Sequence, residues 1–147
     1  EKRALKELSK HKLTNAKILV INKGSCEGEV NAYLIKNMIR QTNNISYTEK
    51  PSKGYDFISI PDTADKEAER FLEFMLNSSM AKTPNKALKL LKNSLSSEIA
   101  IYARIKRIKY RQKIISTEAA LVDKLEKRYK GTKQGLAKAS EKLKWEN

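Results

Sequence analysis

The sequence predicts an α+β fold carrying a basic, mostly helical extension. Three observations support that prediction. Residues 16–60 hold short β-branched runs around a helical stripe, acids crowd the start of a helix after Pro61, and the charge changes near residue 82. Residues 1–81 carry 13 Lys/Arg against 11 Asp/Glu, a net of +2, whereas residues 82–147 carry 18 against 6, a net of +12. The expected organisation is an N-terminal helical segment at 1–13, an α+β domain at 14–81 and a basic helical extension at 82–147.

Leu5 and Leu8 lie three apart among Lys and Glu, the spacing of a short amphipathic helix. Ala16–Ile21 is nearly continuous and β-branched, as a buried strand is. Gly24-Ser25-Cys26-Glu27-Gly28 breaks it, and Val30, Leu34, Ile35, Met38 and Ile39 then recur at helical spacing. Ile45–Glu49 alternates like a half-buried strand. Pro51-Ser52-Lys53-Gly54 is a turn, because Pro presets φ and Gly permits positive φ. Tyr55–Ile60 follows as a strand, and the short spacing predicts an antiparallel hairpin. Asp62 or Thr63 caps the next helix, with Asp65, Glu67 and Glu69 where the dipole favours acids. Phe71, Leu72, Met75 and Leu76 form its expected buried stripe. The predicted order is β-α-β-β-α.

Beyond residue 82, Thr83-Pro84 has the form of a helix start. Leu88, Leu91, Leu95, Ile99, Tyr102, Ile105, Ile108 and Ile115 repeat every three to four residues, with a break after Ile108. The stripe resumes at Ala119, Val122, Leu125 and Tyr129. This pattern predicts a long helix, with residues 99–105 as a sheet strand in the rival reading. Residues 132–145 read as a further helix.

Composition narrows the function classes. No run of about 18 apolar residues is present, so no membrane span is expected. Cys26 is the sole cysteine, which excludes an internal disulfide and a zinc site built on Cys. The chain does not open on Met, the start a processed protein or a part of a longer one would have. His11 is the sole histidine, expected to face solvent, so a His-pair metal site is excluded and a Ser-His-Asp set would have to use it. Cys26 has only Lys23 as a nearby cation in sequence while Glu27 and Glu29 oppose ionisation, so it reads as a small turn residue and not a nucleophile. The same turn resembles an anion cradle at a helix start but lacks the Lys-Ser/Thr of a phosphate loop. No catalytic residues, cofactor, metal or small-molecule substrate are expected.

The sharpest local signal is the segment 104–113, six of whose ten residues are basic, with no acid between Glu98 and Glu118. A surface so charged suits phosphates, because each contact releases condensed counterions. Arg104, Lys106, Arg107, Lys109, Arg111 and Lys113 are the candidate RNA-phosphate ligands, with Lys127, Arg128 and Lys130 extending the supply. Tyr110 is a candidate for base stacking, as is Tyr102. An acidic protein, an anionic membrane surface and a passive solvated face are the other readings of this charge.

The stretch from Lys17 to Leu76 resembles a thioredoxin-like mitochondrial family whose members are a small-subunit ribosomal protein, a large-subunit ribosomal protein and a complex I accessory subunit. The likeness lies in the strand Lys17–Ile21, the turn Gly24–Gly28, the helix Val30–Gln41 leading to Asn43-Asn44, the strand Ile45–Glu49 before Pro51, and the charged helix Asp65–Leu76. Pro is absent after Asn43, and a single strand stands where that family has a hairpin. The resemblance implies a thioredoxin-like β-α-β-β-α domain and a non-catalytic structural subunit. The +12 half favours the ribosomal branches, whose proteins reach rRNA through basic extensions. The expectation is a mitochondrial ribosomal protein of the matrix, with rRNA and neighbouring ribosomal proteins as partners. Two alternatives remain open: a metal-dependent nuclease of the Holliday-junction-resolvase type using Asp56 and Glu29, and a basic helical subunit pairing with an acidic protein.

Overall fold

The computed structural model describes residues 1–39, 43–77, 86–111 and 117–143. In chain order the elements are α1 (Lys2–Leu8), β1 (Lys17–Ile21), α2 (Cys26–Met38), β2 (Asn44–Thr48), β3 (Phe57–Ser59), α3 (Ala64–Asn77), β4 (Ala87–Leu88), α4 (Ser96–Ile105), α5 (Thr117–Arg128) and α6 (Thr132–Leu143). Residues 17–77 thus follow the expected β-α-β-β-α order. Among the described residues no helix is long and apolar enough to cross a membrane.

The strands form one parallel sheet in the order β2-β1-β3-β4. The expected hairpin is not there. β2 and β3 flank β1 on opposite sides, with Ile18 opposite both Ile45 and Phe57. Two side chains fix this arrangement at the amino end of β1. The Ala16 N–H donates to Asn43 Oδ1 at 2.9 Å, and the Lys17 N–H donates to Asp56 Oδ2 at 2.8 Å. Residues 49–56 return the chain from the carboxyl end of β2 to the amino end of β3. Eight extended residues reach about 26 Å, enough to run back along a short strand without a helix.

β1 is central, and its apolar run is the signature of a strand covered on both faces. Ile18 and Val20 are fully buried in a core with Val30, Leu34 and Ile35 of α2. Leu88, Leu90, Leu91, Ile99 and Ala103 belong to the same cluster. Packing therefore runs across the change of charge at residue 82. Leu19, also buried, projects to the opposite face, since strand side chains alternate. α3, α5 and α6 pack together as a second helical group.

Three further expectations change. The long helix is a two-residue strand, a turn and a ten-residue helix. The Leu repeat at 88 and 91 comes from a strand end and a turn packing on the sheet. The rival strand reading of 99–105 gives way to helix, started where the Glu98 carboxylate accepts the Leu95 N–H at 2.9 Å. The proposed start at Thr83-Pro84 lies outside the described residues. On α3 Ala64, Asp65, Glu67 and Ala68 are buried, Phe71 and Leu72 are half-buried, and Met75 and Leu76 are exposed, with α6 packed on the helix. His11 is half-buried and packs edge-on to Phe57 at 5.6 Å between centroids.

Candidate functional site

In an open parallel sheet, ligands bind beyond the carboxyl ends of the strands where the chain turns to opposite sides. Here that point lies at the end of β1, between β2 and β3. The turn from Asn22 to Ser25 occupies it. Ser25 is the N-cap of α2, its Oγ accepting the Gly28 N–H at 3.1 Å. Asn22 Oδ1 accepts the Gly24 N–H at 2.9 Å, and Gly24 holds φ at +76°, a conformation costly for residues with a Cβ. Asn22 also folds over the helix start, where a Cβ on Gly28 would lie 2.6 Å from its Oδ1. The turn thereby aims the positive end of the α2 dipole at the sheet edge.

The basic segment reaches this turn. Arg107, at φ +54°, redirects the chain as α4 ends. Four residues later the Arg111 N–H donates to the Gly24 carbonyl at 2.8 Å, and Ser25 and Arg111 form a parallel bridge. The Arg111 side chain lies over Gly24, with Cδ 3.4 Å from the position of a Cβ there. The result is a cleft of about 450 Å³ lined by Asn22, Lys23, Gly24, Glu29, Glu49, Lys109, Tyr110 and Arg111. Three cations face two carboxylates across it.

A second polar cluster secures the carboxyl edge beneath α3. Thr63 Oγ1 accepts the Lys66 N–H at 3.4 Å, as expected of a cap, and contacts Ser96 Oγ at 3.1 Å. Ser96 Oγ donates to Glu27 at 3.3 Å, and the Ser96 N–H donates to Asp65 Oδ2 at 2.5 Å. The starts of α2, α3 and α4 are thus joined. Lys133 of α6 pairs with Asp65 and with Asp123 of α5. Deeper, Asp62 receives both Arg70 nitrogens, at 2.5 and 2.8 Å, and Lys89 at 3.2 Å. Lys89 also pairs with Glu67. Asn31 is fully buried, and its Nδ2 donates to Ser59 Oγ at 2.9 Å, locking α2 to β3. Sequence reading missed this polar frame, although the acids at 62, 65 and 67 were visible as helix-start residues.

The candidate RNA-phosphate ligands fall into separate groups. Lys109 and Arg111 line the cleft beside the candidate stacking residue Tyr110. Arg104, Lys106 and Arg107 are exposed at the end of α4, with Lys106 3.4 Å from Glu1 and 5.9 Å from the Tyr102 ring centroid. Tyr102 is half-buried and its hydroxyl donates to Glu1 at 2.7 Å, so it is not a free stacking platform. Lys127 and Arg128 in the last turn of α5 and Lys130 just after it are exposed, in the other helical group. Lys113 lies outside the described residues. Asp56 and Glu29 do not meet: Asp56 hydrogen-bonds Lys17 at the amino end of β1, while Glu29 lies beyond its carboxyl end. The nuclease pair is thereby removed.

No family model and no curated protein matches this chain. Among solved structures, the fold is similar to the U34-tRNA thiolase NcsA from Methanococcus maripaludis with its [4Fe-4S] cluster. The TM-score is 0.72 at 15% identity, over 97% of this chain and 77% of that one. An iron–sulfur cluster of this type is held mainly by cysteine thiolates. These 147 residues contain one cysteine, so their donor set does not fit the cluster. The likeness corrects the expectation of a non-catalytic ribosomal structural protein with rRNA and ribosomal neighbours. That expectation rested on the resemblance of Lys17–Leu76 and on the charge of residues 82–147, whereas the sheet is parallel throughout and its fold is similar to that of a U34-tRNA thiolase. The expectation that the chain is not an enzyme falls with it, as do the nuclease and acidic-partner alternatives.

Proposed function

We propose that this chain is an RNA-directed enzyme domain that takes a phosphorylated ligand in the cleft at the end of β1 and RNA on the basic surface beside it. The supporting observation is the docking of Arg111 on the Gly24–Ser25 turn, which brings the basic segment to a helix N-terminus at the sheet's switch point. Helix dipole, turn N–H groups and guanidinium then act on the same volume. Lys109 and Lys23 add charge, and Tyr110 offers a ring at the cleft wall. The carboxylates of Glu29 and Glu49 suit hydroxyl or amino donors of the same ligand, which favours a nucleoside phosphate over bare phosphate. Arg104 and Arg107 continue the cationic surface outward for an RNA strand. The tRNA thiolase that shares the fold makes tRNA the RNA class to test first.

Calorimetric titration with ATP as probe, with inorganic phosphate beside it, tests the ligand half. Arg111→Ala keeps the backbone bonds to Gly24 and removes a charge-assisted contact of about 1.5–3 kcal/mol, a weakening of roughly 10- to 100-fold. Filter binding of tRNA across a salt series tests the RNA half. ATP affinity indifferent to Arg111→Ala, together with salt-independent tRNA retention, would refute the reading.

A further inference from the structure

We infer that these 147 residues do not themselves hold the iron–sulfur cluster of the thiolase whose fold they share, and that Cys26 is a packing residue rather than a metal or sulfur ligand. The inference rests on the donor set alone and stands apart from the RNA reading above. Clusters of this kind need several thiolates converging on one point, and soft sulfur donors are what select them. One thiol per chain does not supply that convergence. The only imidazole, His11, precedes β1 on the amino side of the sheet, with its ring against Phe57. Cys26 opens α2 on the carboxyl side. The five-residue strand between them spans about 16 Å, far beyond shared coordination.

The setting of Cys26 agrees. Burial and the neighbouring Glu27 carboxylate push its thiol above the ordinary cysteine value, while a hydrogen bond with Tyr110 pulls the other way. A cysteine that serves metal or nucleophilic chemistry needs the reverse, a stabilised thiolate. The cleft nearby offers Glu29 and Glu49, hard oxygen donors facing three cations. Among the described residues no group of three or more His, Cys, Asp and Glu converges as a metal site would. These residues therefore supply no thiolate set that would hold iron at the carboxyl edge of the sheet.

Anaerobic reconstitution of the 147-residue chain with ferrous iron, sulfide and a thiol reductant tests this directly. Iron, acid-labile sulfide, visible charge-transfer absorbance and electron paramagnetic resonance are read after desalting, with Cys26→Ser alongside and a known iron–sulfur protein as the positive control. The expected result is no cluster band in either form, and equal trace iron in both. A cluster band lost in Cys26→Ser would overturn the inference by making Cys26 a ligand, including a ligand shared between two copies. A band retained in Cys26→Ser would overturn it by revealing a cluster on other donors.

Discussion

Asp62 is the residue on which the carboxyl edge of the sheet depends, and its replacement by Asn gives the sharpest stability test. The Asp62 side chain is 2% exposed and receives two nitrogens of Arg70 and one of Lys89. Burial alone would push its carboxyl up. The Arg70 fork and Lys89 outweigh burial, so the group sits below the ordinary carboxylate range. Removing one partner of a buried ion pair costs about 3–5 kcal/mol, chiefly through the cations left behind. Two features place Asp62→Asn at the lower end. Arg70 is 39% exposed and recovers water, and Glu67 remains beside both Lys89 and Arg70. The expected loss is about 3 kcal/mol, a fall in the urea midpoint of about 1.5 M for a slope of about 2 kcal/mol per M.

Because the folded-state value is depressed, the stability from Asp62 is full above the unfolded carboxyl value of about 3.9. It is lost as pH falls through the lower folded value. Urea unfolding followed by circular dichroism should therefore show a wide gap between parent and variant at neutral pH and a narrowing gap below about pH 4. A loss under about 1 kcal/mol, or a gap unchanged by acid, would refute the reasoning about a buried, charge-dependent anchor.

Ser25→Ala removes the acceptor of the Gly28 N–H and should cost about 1 kcal/mol, read as a fall of roughly 3 °C in the thermal midpoint. Arg104→Ala should weaken tRNA binding across sequences and lower the slope of log affinity against log salt by about one; an unchanged slope would remove Arg104 from the RNA surface. Iodoacetamide should modify Cys26 more slowly at neutral pH than a free cysteine, with its rate rising only above the usual thiol value of about 8.5. A chain ending at residue 81 loses Leu88, Leu90, Leu91, Ile99 and Ala103 from the core around Ile18, and its circular dichroism should show no cooperative melt.

Local signals in the sequence were legible where each had one physical cause. The continuous run at β1, the turn at Gly24–Gly28, the acids opening α3 and the exposed cations of 104–111 are all consequences of nearest neighbours. Strand direction was not legible. A proline-glycine turn between two β-like runs reads as a hairpin, and the opposite outcome depends on Asn43 and Asp56 bonding residues 27 and 39 positions away. Leu88, Leu91 and Leu95 fit a helix period by chance of spacing, because a strand end and a compact turn can present leucines to a sheet at similar intervals. Of the site, the Gly24–Ser25 turn and Arg111 were each visible. Their contact joins residues nearly ninety positions apart and leaves no periodic trace.

The charge asymmetry shows why a correct local observation led to the wrong architecture. A net of +12 on one half suggests a part that leaves the domain to find a polyanion, since repulsion among its cations opposes compaction. The fold meets that cost in a different way. Lys89 is placed against Asp62 and Glu67, Lys92 against Glu7 and Glu141, and Lys133 against Asp65 and Asp123. Four of those six acids lie in the first half of the chain, whose near-neutral balance concealed them as partners. Arg104, Arg107, Lys109 and Arg111 stay exposed at the end of α4 and along the cleft. A basic half that spends its interior lysines on the fold and docks Arg111 on the Gly24–Ser25 turn is tied to that edge of the sheet, and the edge is where a ligand should be sought.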